Sequence, residues 1–488
     1  MEQVEKFIHW LNDIVWGPVM LVLLVGTGIL LTVMLKGLQF TMLGYALKQA
    51  FVPSKKHEDG EDHEGDISHF AALMTALSAT IGTGNIAGVA IAIGSGGPGA
   101  VFWMWLTALI GMSSAFAEST LAQLFKVRDE KTGQFRGGPA YYIGKGLGQK
   151  WLGVLFALCL IVCFGLVYNA IQANTIVLAV QSAAGWTADK GTSEAQWAQY
   201  QQFLAAGLVL MSAPIIFGGI RRVSRVAEML VPVMAVLYLA MALYIVATNL
   251  PQVPHVFGLI FDNAFSFNAA GGGILGGLIS VAMEEGIKRG LYSNEAGQGS
   301  APNAAAAADV KHPVSQGMIQ MLGVFVDTII VCSCTAFIVL LSTDVPAGLK
   351  GAELTQAAIA GHVGAWGAHF LTVVLFMFAY STIIGNYAYA ESNVQFINSH
   401  WLTMAVFRTA VLAMVYFGAV ANVPVVWDMA DLTMGTMALI NLIAILLLSP
   451  LVFLLLKDYT AKLRMGRDPE FKLSEHPSLK RRIKSDIW

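Results

Sequence analysis

Residues 78–88 read Ser78-Ala-Thr-Ile-Gly-Thr-Gly-Asn-Ile-Ala-Gly88. They sit inside an apolar run, 70–94, long enough to cross a hydrocarbon core at about 1.5 Å per residue. Yet they place three glycines, three hydroxyls and Asn85 where an ordinary span carries Leu and Val. Glycine costs a helix interior about 1 kcal/mol relative to alanine, so the stretch is expected to be unwound or closely packed. Unwound backbone at membrane depth must be buried against protein or line a polar cavity, because lipid satisfies neither N–H nor C=O. Glycines that serve only close helix packing need neither Asn85 nor a string of hydroxyls.

The rest of the chain supplies the membrane context. Of 488 residues, 56% are apolar and 12% charged, against about a quarter charged in a soluble domain, which excludes a soluble enzyme. Runs of about 17 to 25 mainly apolar residues fall near 18–35, 70–94, 98–124, 151–180, 203–219, 226–248, 269–288, 314–341, 368–391, 402–420 and 430–456. These eleven predicted spans leave no loop long enough to fold alone, so residues 1–488 form one membrane domain. The first run lacks a small-residue cleavage site and follows mixed charges, as a retained helix does. Cys159, Cys163, Cys332 and Cys334 all lie in apolar runs without metal or disulfide spacing. The tract 55–66, rich in Lys, His, Asp and Glu, reads as a solvated linker rather than a metal site.

A second glycine-rich stretch, 269–277, lies in the seventh run. With the first span set aside, the two stretches occupy the first and sixth of ten. Interrupted helices in corresponding positions of two five-helix halves point to an inverted-repeat secondary transporter with its site at the midplane. The boundaries are then 1–66 for an extra helix and linker, 67–250 and 251–456 for the two repeats, and 457–488 for a tail. Alternating the loops puts 25 of the 29 Lys and Arg on one side. The positive-inside rule makes that side cytoplasmic, with the N-terminus outside and the C-terminus inside.

Broken helices offer half-helix N–H groups to a carboxylate and free carbonyls to a hard cation. Ser78, Thr80 and Ile81 would supply carbonyls, and Gly84 and Asn85 N–H groups. Ser381 and Thr382 add hydroxyls to the ninth run, though such a pair commonly bonds back to its own helix. Neither stretch carries Lys or Arg, which favours a zwitterion accompanied by a small cation over an anion. The net charge of −2 names no partner, and beyond substrate, cation and lipid neither a cofactor nor a nucleic acid is expected.

The blocks GTGNIAGVA (82–90), GGPGAVFWMW (96–105), QFRGGPAYY (134–142), NAIQAN (169–174), RGLYSNEAGQGSAPNAAAAA (289–308) and HPVSQGMIQMLGVFVDT (312–328) resemble the alanine or glycine:cation symporter family along nearly the whole chain. The resemblance implies an all-α, LeuT-like fold: two inverted five-helix repeats preceded by one extra helix, coupling sodium to a small neutral amino acid across the bacterial inner membrane. It implies that Thr83, Gly84 and Asn85, with Gly273, Gly276, Gly277 and Ser280 around the second break, hold the substrate's carboxylate, and that Gln172 and Asn386 face the rest. It places sodium between the carbonyls of Ser78 and Ile81 and the hydroxyls of Ser381 and Thr382. Alanine-transporting members commonly read TIIGWYYYGE where this chain reads TIIGNYAYAE. Asn386 in place of tryptophan widens the pocket and adds a donor and an acceptor, which brings glutamine in beside alanine and glycine.

Asp327, in the eighth span, is costly at membrane depth; it reads as a structural hydrogen bond to a neighbouring helix or as a gate. Glu118 and Glu284–Glu285 read as gate or interface residues near cytoplasmic helix ends, and 293–302 as an inner-gate loop. A proton-coupled porter is the nearer rival, since Asp327 or Glu118 could titrate. An intramembrane enzyme would need a nucleophile–base pair or metal cluster at depth; no His lies well inside a span and neither HExxH nor GxSxG occurs.

Overall fold

The computed structural model describes residues 2–51, 67–129, 132–186, 191–265, 280–342, 348–421, 424–480, 483 and 487–488. The described residues are helical throughout apart from loops and one short hairpin pairing Val127–Arg128 with Phe135–Arg136. We number the principal helices α1 (Pro18–Met34), α2 (His69–Thr80), α3 (Gly84–Gly96), α4 (Gly99–Leu124), α5 (Lys150–Ala184), α6 (Glu194–Ile216), α7 (Gly219–Thr248), α8 (Val281–Asn294), α9 (Pro302–Ala306), α10 (Pro313–Leu340), α11 (Trp366–Ile397), α12 (Trp401–Val420) and α13 (Pro424–Arg464). Their starts follow local chemistry: Ser68, Ser193 and Ser280 accept N-cap bonds for α2, α6 and α8, and proline opens α1, α9 and α10.

Among the described residues eight helices are long and apolar enough to span a membrane, and α2 with α3 forms a ninth span bent by 50°. The expected run 203–219 falls in α6, where Gln199, Gln201 and Gln202 leave the helix less apolar than the other eight. The seventh expected span, 269–288, is described only from Ser280 onward. Residues 266–279 lie outside the described residues, and with them the expected binding residues Gly273, Gly276 and Gly277. Among the described residues, α8 and α9 run beside α4 from end to end. Gly286 lies against Ala100 and Trp103, Gly290 against Met104 and Ala296 against Gly111, while the Gln123 amide donates to the carbonyls of Ala305 and Ala308 at 2.5 and 2.9 Å.

Lys288 and Arg289 lie within α8. Lys288 pairs with Asp431 near the start of α13 at 2.8 Å, and Arg289 lies 3.6 Å from the same carboxylate. The segment 293–302, expected as an inner-gate loop, is buried throughout except for half-buried Ala301. Turn-forming residues that would mark a loop in water here mark an interrupted helix.

Three helices carry a single widened, π-type turn: α3 over Gly84–Gly88, α5 over Ile161–Val167 and α10 over Phe325–Cys332. Such turns concentrate at functional positions because the extra residue re-aims side chains. Two of them hold Asn85 and Asp327, which meet at the centre of the molecule.

Candidate functional site

α2 stops where Ile81 takes φ −76°, ψ 89°, with its N–H still bonded to Leu77 at 2.8 Å. The next donors are met by side chains. Gly82 N–H reaches Asn85 Oδ1 at 2.8 Å and Thr83 N–H reaches Gln172 Oε1 at 3.3 Å. Asn85 is thus fully engaged: its amide also donates to Asp327 Oδ1 at 2.6 Å, and its own carbonyl accepts from Thr335 at 2.6 Å.

The second break has its own backbone cause. After α8, Glu295 adopts φ 58°, and Gly297 and Gly299 both adopt φ 86°. A left-handed conformation costs an L-residue about 1–2 kcal/mol, so glycine carries two of the three positions. Glu118, on α4, receives Gly297 N–H at 3.3 Å and the Asn441 amide at 2.7 Å, and Asn441 also donates to Gly297 C=O at 2.9 Å. Tyr142 donates in turn to Asn441 Oδ1. Glu118 therefore braces the second break from deep inside the protein rather than standing at a helix end.

The helical turns flanking the two breaks touch each other. A Cβ on Gly84 would meet the Tyr292 ring at 2.9 Å and Ser293 Cα at 3.3 Å, so only glycine admits this approach. Asp327 joins both sides: it accepts from Asn85, from Ser293 Oγ at 2.8 Å and from Thr328 Oγ1 at 2.8 Å. These three donors satisfy a fully buried carboxylate, and no Lys or Arg pairs with it among the described residues.

Of the residues expected around sodium, one pair is brought together. Thr382 Oγ1 lies 3.4 Å from Ile81 C=O and 3.0 Å from Phe378 C=O. The Ser381 hydroxyl bonds back to Phe378 C=O at 2.8 Å, and that of Ser78 to Thr75 C=O at 2.8 Å. Asn386 is fully buried on α11; its amide nitrogen donates to Asn169 Oδ1 at 3.1 Å and its oxygen finds no partner. Ser280 is the N-cap of α8, accepting from Met283 N–H at 3.1 Å, on the far side of α8 from the break.

Residues not singled out beforehand complete the centre. The Tyr168 and Tyr292 rings lie 5.0 Å apart, and Tyr292 packs on Trp427 at 5.7 Å. Thr83 is within reach of the Tyr292 hydroxyl and Gln298 within reach of that of Tyr168. Even so, Thr83 Oγ1, both tyrosine hydroxyls and both Gln298 amide atoms are buried without meeting hydrogen-bond geometry. The signal was present: SNEAGQGS repeats the pairing of glycines with hydroxyls and an amide found in residues 78–88.

The sodium:alanine symporter family's sequence profile matches residues 1–473. The chain belongs to that family. Among its relatives, the "Probable sodium/glutamine symporter GlnT" of Bacillus subtilis (strain 168) is 46% identical, with 96% of this chain and 94% of that one covered. The "Sodium/alanine symporter AgcS" of Methanococcus maripaludis is 43% identical over 92% and 95% of the two chains. An uncharacterized transporter of Haemophilus influenzae is 51% identical over 100% and 98%. The structure resembles that of MhsT, solved with L-phenylalanine, at a TM-score of 0.56, covering 79% of this chain and 89% of that one at 14% identity. The likeness shows the LeuT-like fold. The chain is thus an integral membrane symporter of amino acids with a cation, and not an enzyme.

Proposed function

We propose that this protein couples inward sodium movement to uptake of a small neutral amino acid, namely alanine, glycine or glutamine, at the crossing of its two broken helices. One observation carries this reading: the helical turns that flank two breaks meet at Gly84 and Tyr292–Ser293, surrounded by buried polar atoms that lack protein partners. Buried groups of this kind are retained for a ligand or ordered water. A zwitterion suits them, since no Lys or Arg touches the first break. On this reading Thr83, Gly84, Asn85 and Gln172 hold the substrate's carboxylate end. Ile81 C=O and Thr382 Oγ1 contribute to the sodium site, with Ser78 and Ser381 beside them. The N-terminus faces outward and the C-terminus the cytoplasm of a bacterial inner membrane. Relatives named for sodium/alanine and sodium/glutamine symport agree with this choice of substrates.

The test is uptake of labelled alanine and glutamine into proteoliposomes with sodium and pH gradients imposed separately. Accumulation driven by the sodium gradient at equal pH is the expected result. Accumulation driven by the pH gradient alone would replace sodium with the proton.

A further inference from the structure

We infer that Gln298 selects the substrate's side chain, and that the side chain it selects ends in a group that both donates and accepts hydrogen bonds, as a carboxamide does. The inference rests on the amino-acid symport proposed above and adds to it a determinant of specificity.

The backbone around Gln298 is tightly held. Its N–H bonds to Glu295 C=O at 3.0 Å; Gly297 is tied to Glu118 and Asn441; Asn303 Nδ2 donates to the carbonyls of Gly299 and Ser300 at 3.2 and 2.8 Å. The side chain contrasts with this. It is wholly buried, and neither its oxygen nor its nitrogen has a hydrogen-bond partner among the described residues. The Tyr168 hydroxyl lies within reach, itself without a bond, and the Tyr168 ring leads through Tyr292 to Gly84 beside the first break. A rigid turn thus presents a complete donor–acceptor pair at the edge of the contact between the turns flanking the two breaks.

Asn386 offers less. One of its two amide N–H groups is committed to Asn169, which leaves its oxygen and a single N–H. A carboxamide guest needs both functions from its host. Gln298 supplies both uncommitted. The structural alternative is a trapped water bridging Gln298 and Tyr168. Loss of such a water would affect all substrates alike, whereas loss of a side-chain partner penalises only the substrate whose polar end it serves.

The full-length protein is reconstituted, and sodium-driven uptake of labelled alanine is competed with glutamine and with norleucine, a chain of similar length ending in a methyl group. In the wild type, glutamine should inhibit at about tenfold or more lower concentration than norleucine, the discrimination expected when a buried host group is left unpaired by the wrong guest. In Gln298→Leu that ratio should fall to about one. Equal inhibition by the two competitors in the wild type, or an unchanged ratio in Gln298→Leu, overturns the inference, as does an equal loss of alanine and glutamine uptake in a variant that remains folded. If Gln298→Leu does not assemble, the wild-type ratio decides alone. If sodium drives no uptake, the transport proposal fails, and the thermal shift of the purified wild-type protein with glutamine against norleucine still decides the role of Gln298: an equal shift overturns it.

Discussion

Ser381 and Thr382 are sequence neighbours with different surroundings, because successive residues on a helix point about 100° apart. Thr382 reaches across to the Ile81 carbonyl in the first break, whereas Ser381 bonds within its own helix and touches Met234 Sδ at 3.5 Å. Thr382→Val keeps the shape and removes the oxygen. The sodium concentration for half-maximal uptake should then rise by about tenfold, the worth of one buried polar contact. Ser381→Ala should leave it within about twofold, since its lost bond is local. Sodium titrations of uptake at saturating amino acid measure both, and equal shifts would place the ion against both hydroxyls. The hydroxyl pair was legible in the sequence. Which of the two faces the break was not, because that depends on how α11 is rotated against α2.

At the scale of elements, the two breaks rest on different chemistry. The first is held by side chains, with Asn85 and Gln172 taking the N–H groups of Gly82 and Thr83. The second is held by backbone conformation at Glu295, Gly297 and Gly299. Gly297→Ala should therefore cost about 1–2 kcal/mol through its left-handed φ, and its new methyl would also meet Leu442 at 3.0 Å. Thermal melting in detergent should fall and uptake with it. Gly94→Ala, where the added methyl meets open space in helical backbone, should melt at or above the wild-type temperature; a matching loss in both variants would mean that φ is not the cause. The glycine-marked interruption of the span over 70–94 was legible. The break at 295–299 was not, because its left-handed backbone shows only once α8 and the turn after it are in place; Gly271–Gly277 lie outside the described residues.

At the scale of the whole molecule, the tail folds back onto the helix ends. Phe471 N–H donates to Lys311 C=O at 2.8 Å, and the Phe471 ring lies 5.5 Å from that of His312. His312, entirely buried, accepts Val314 N–H at Nδ1 (3.1 Å), so its proton sits on Nε2, 3.2 Å from Asp458 Oδ2. Burial pushes its pKa down from 6.5 to about 4, against the upward pull of Asp458 and with Lys462 and His476 adding to the fall. The folded protein thus binds this proton later than the unfolded chain does. Stability should be level above about pH 6.5 and fall as pH drops from there towards 4, by up to about 3 kcal/mol from this residue. Melting temperature followed across that window should decline less steeply in His312→Gln than in the wild type; parallel declines would assign the acid sensitivity elsewhere.

Composition and periodicity alone determined that the chain is a helical membrane protein and that the span over residues 70–94 is interrupted. These properties are local: apolar length is set by the bilayer, and glycine, hydroxyl and amide side chains at depth declare themselves residue by residue. Tertiary structure alone decided that a second interruption lies at 295–300, that Asp327 and Glu118 serve the breaks, and that Gln298 is left with an unspent amide. Each of those depends on which atoms from distant parts of the chain come within about 3 Å of one another, a distance that hydrogen bonding requires and that sequence spacing does not encode.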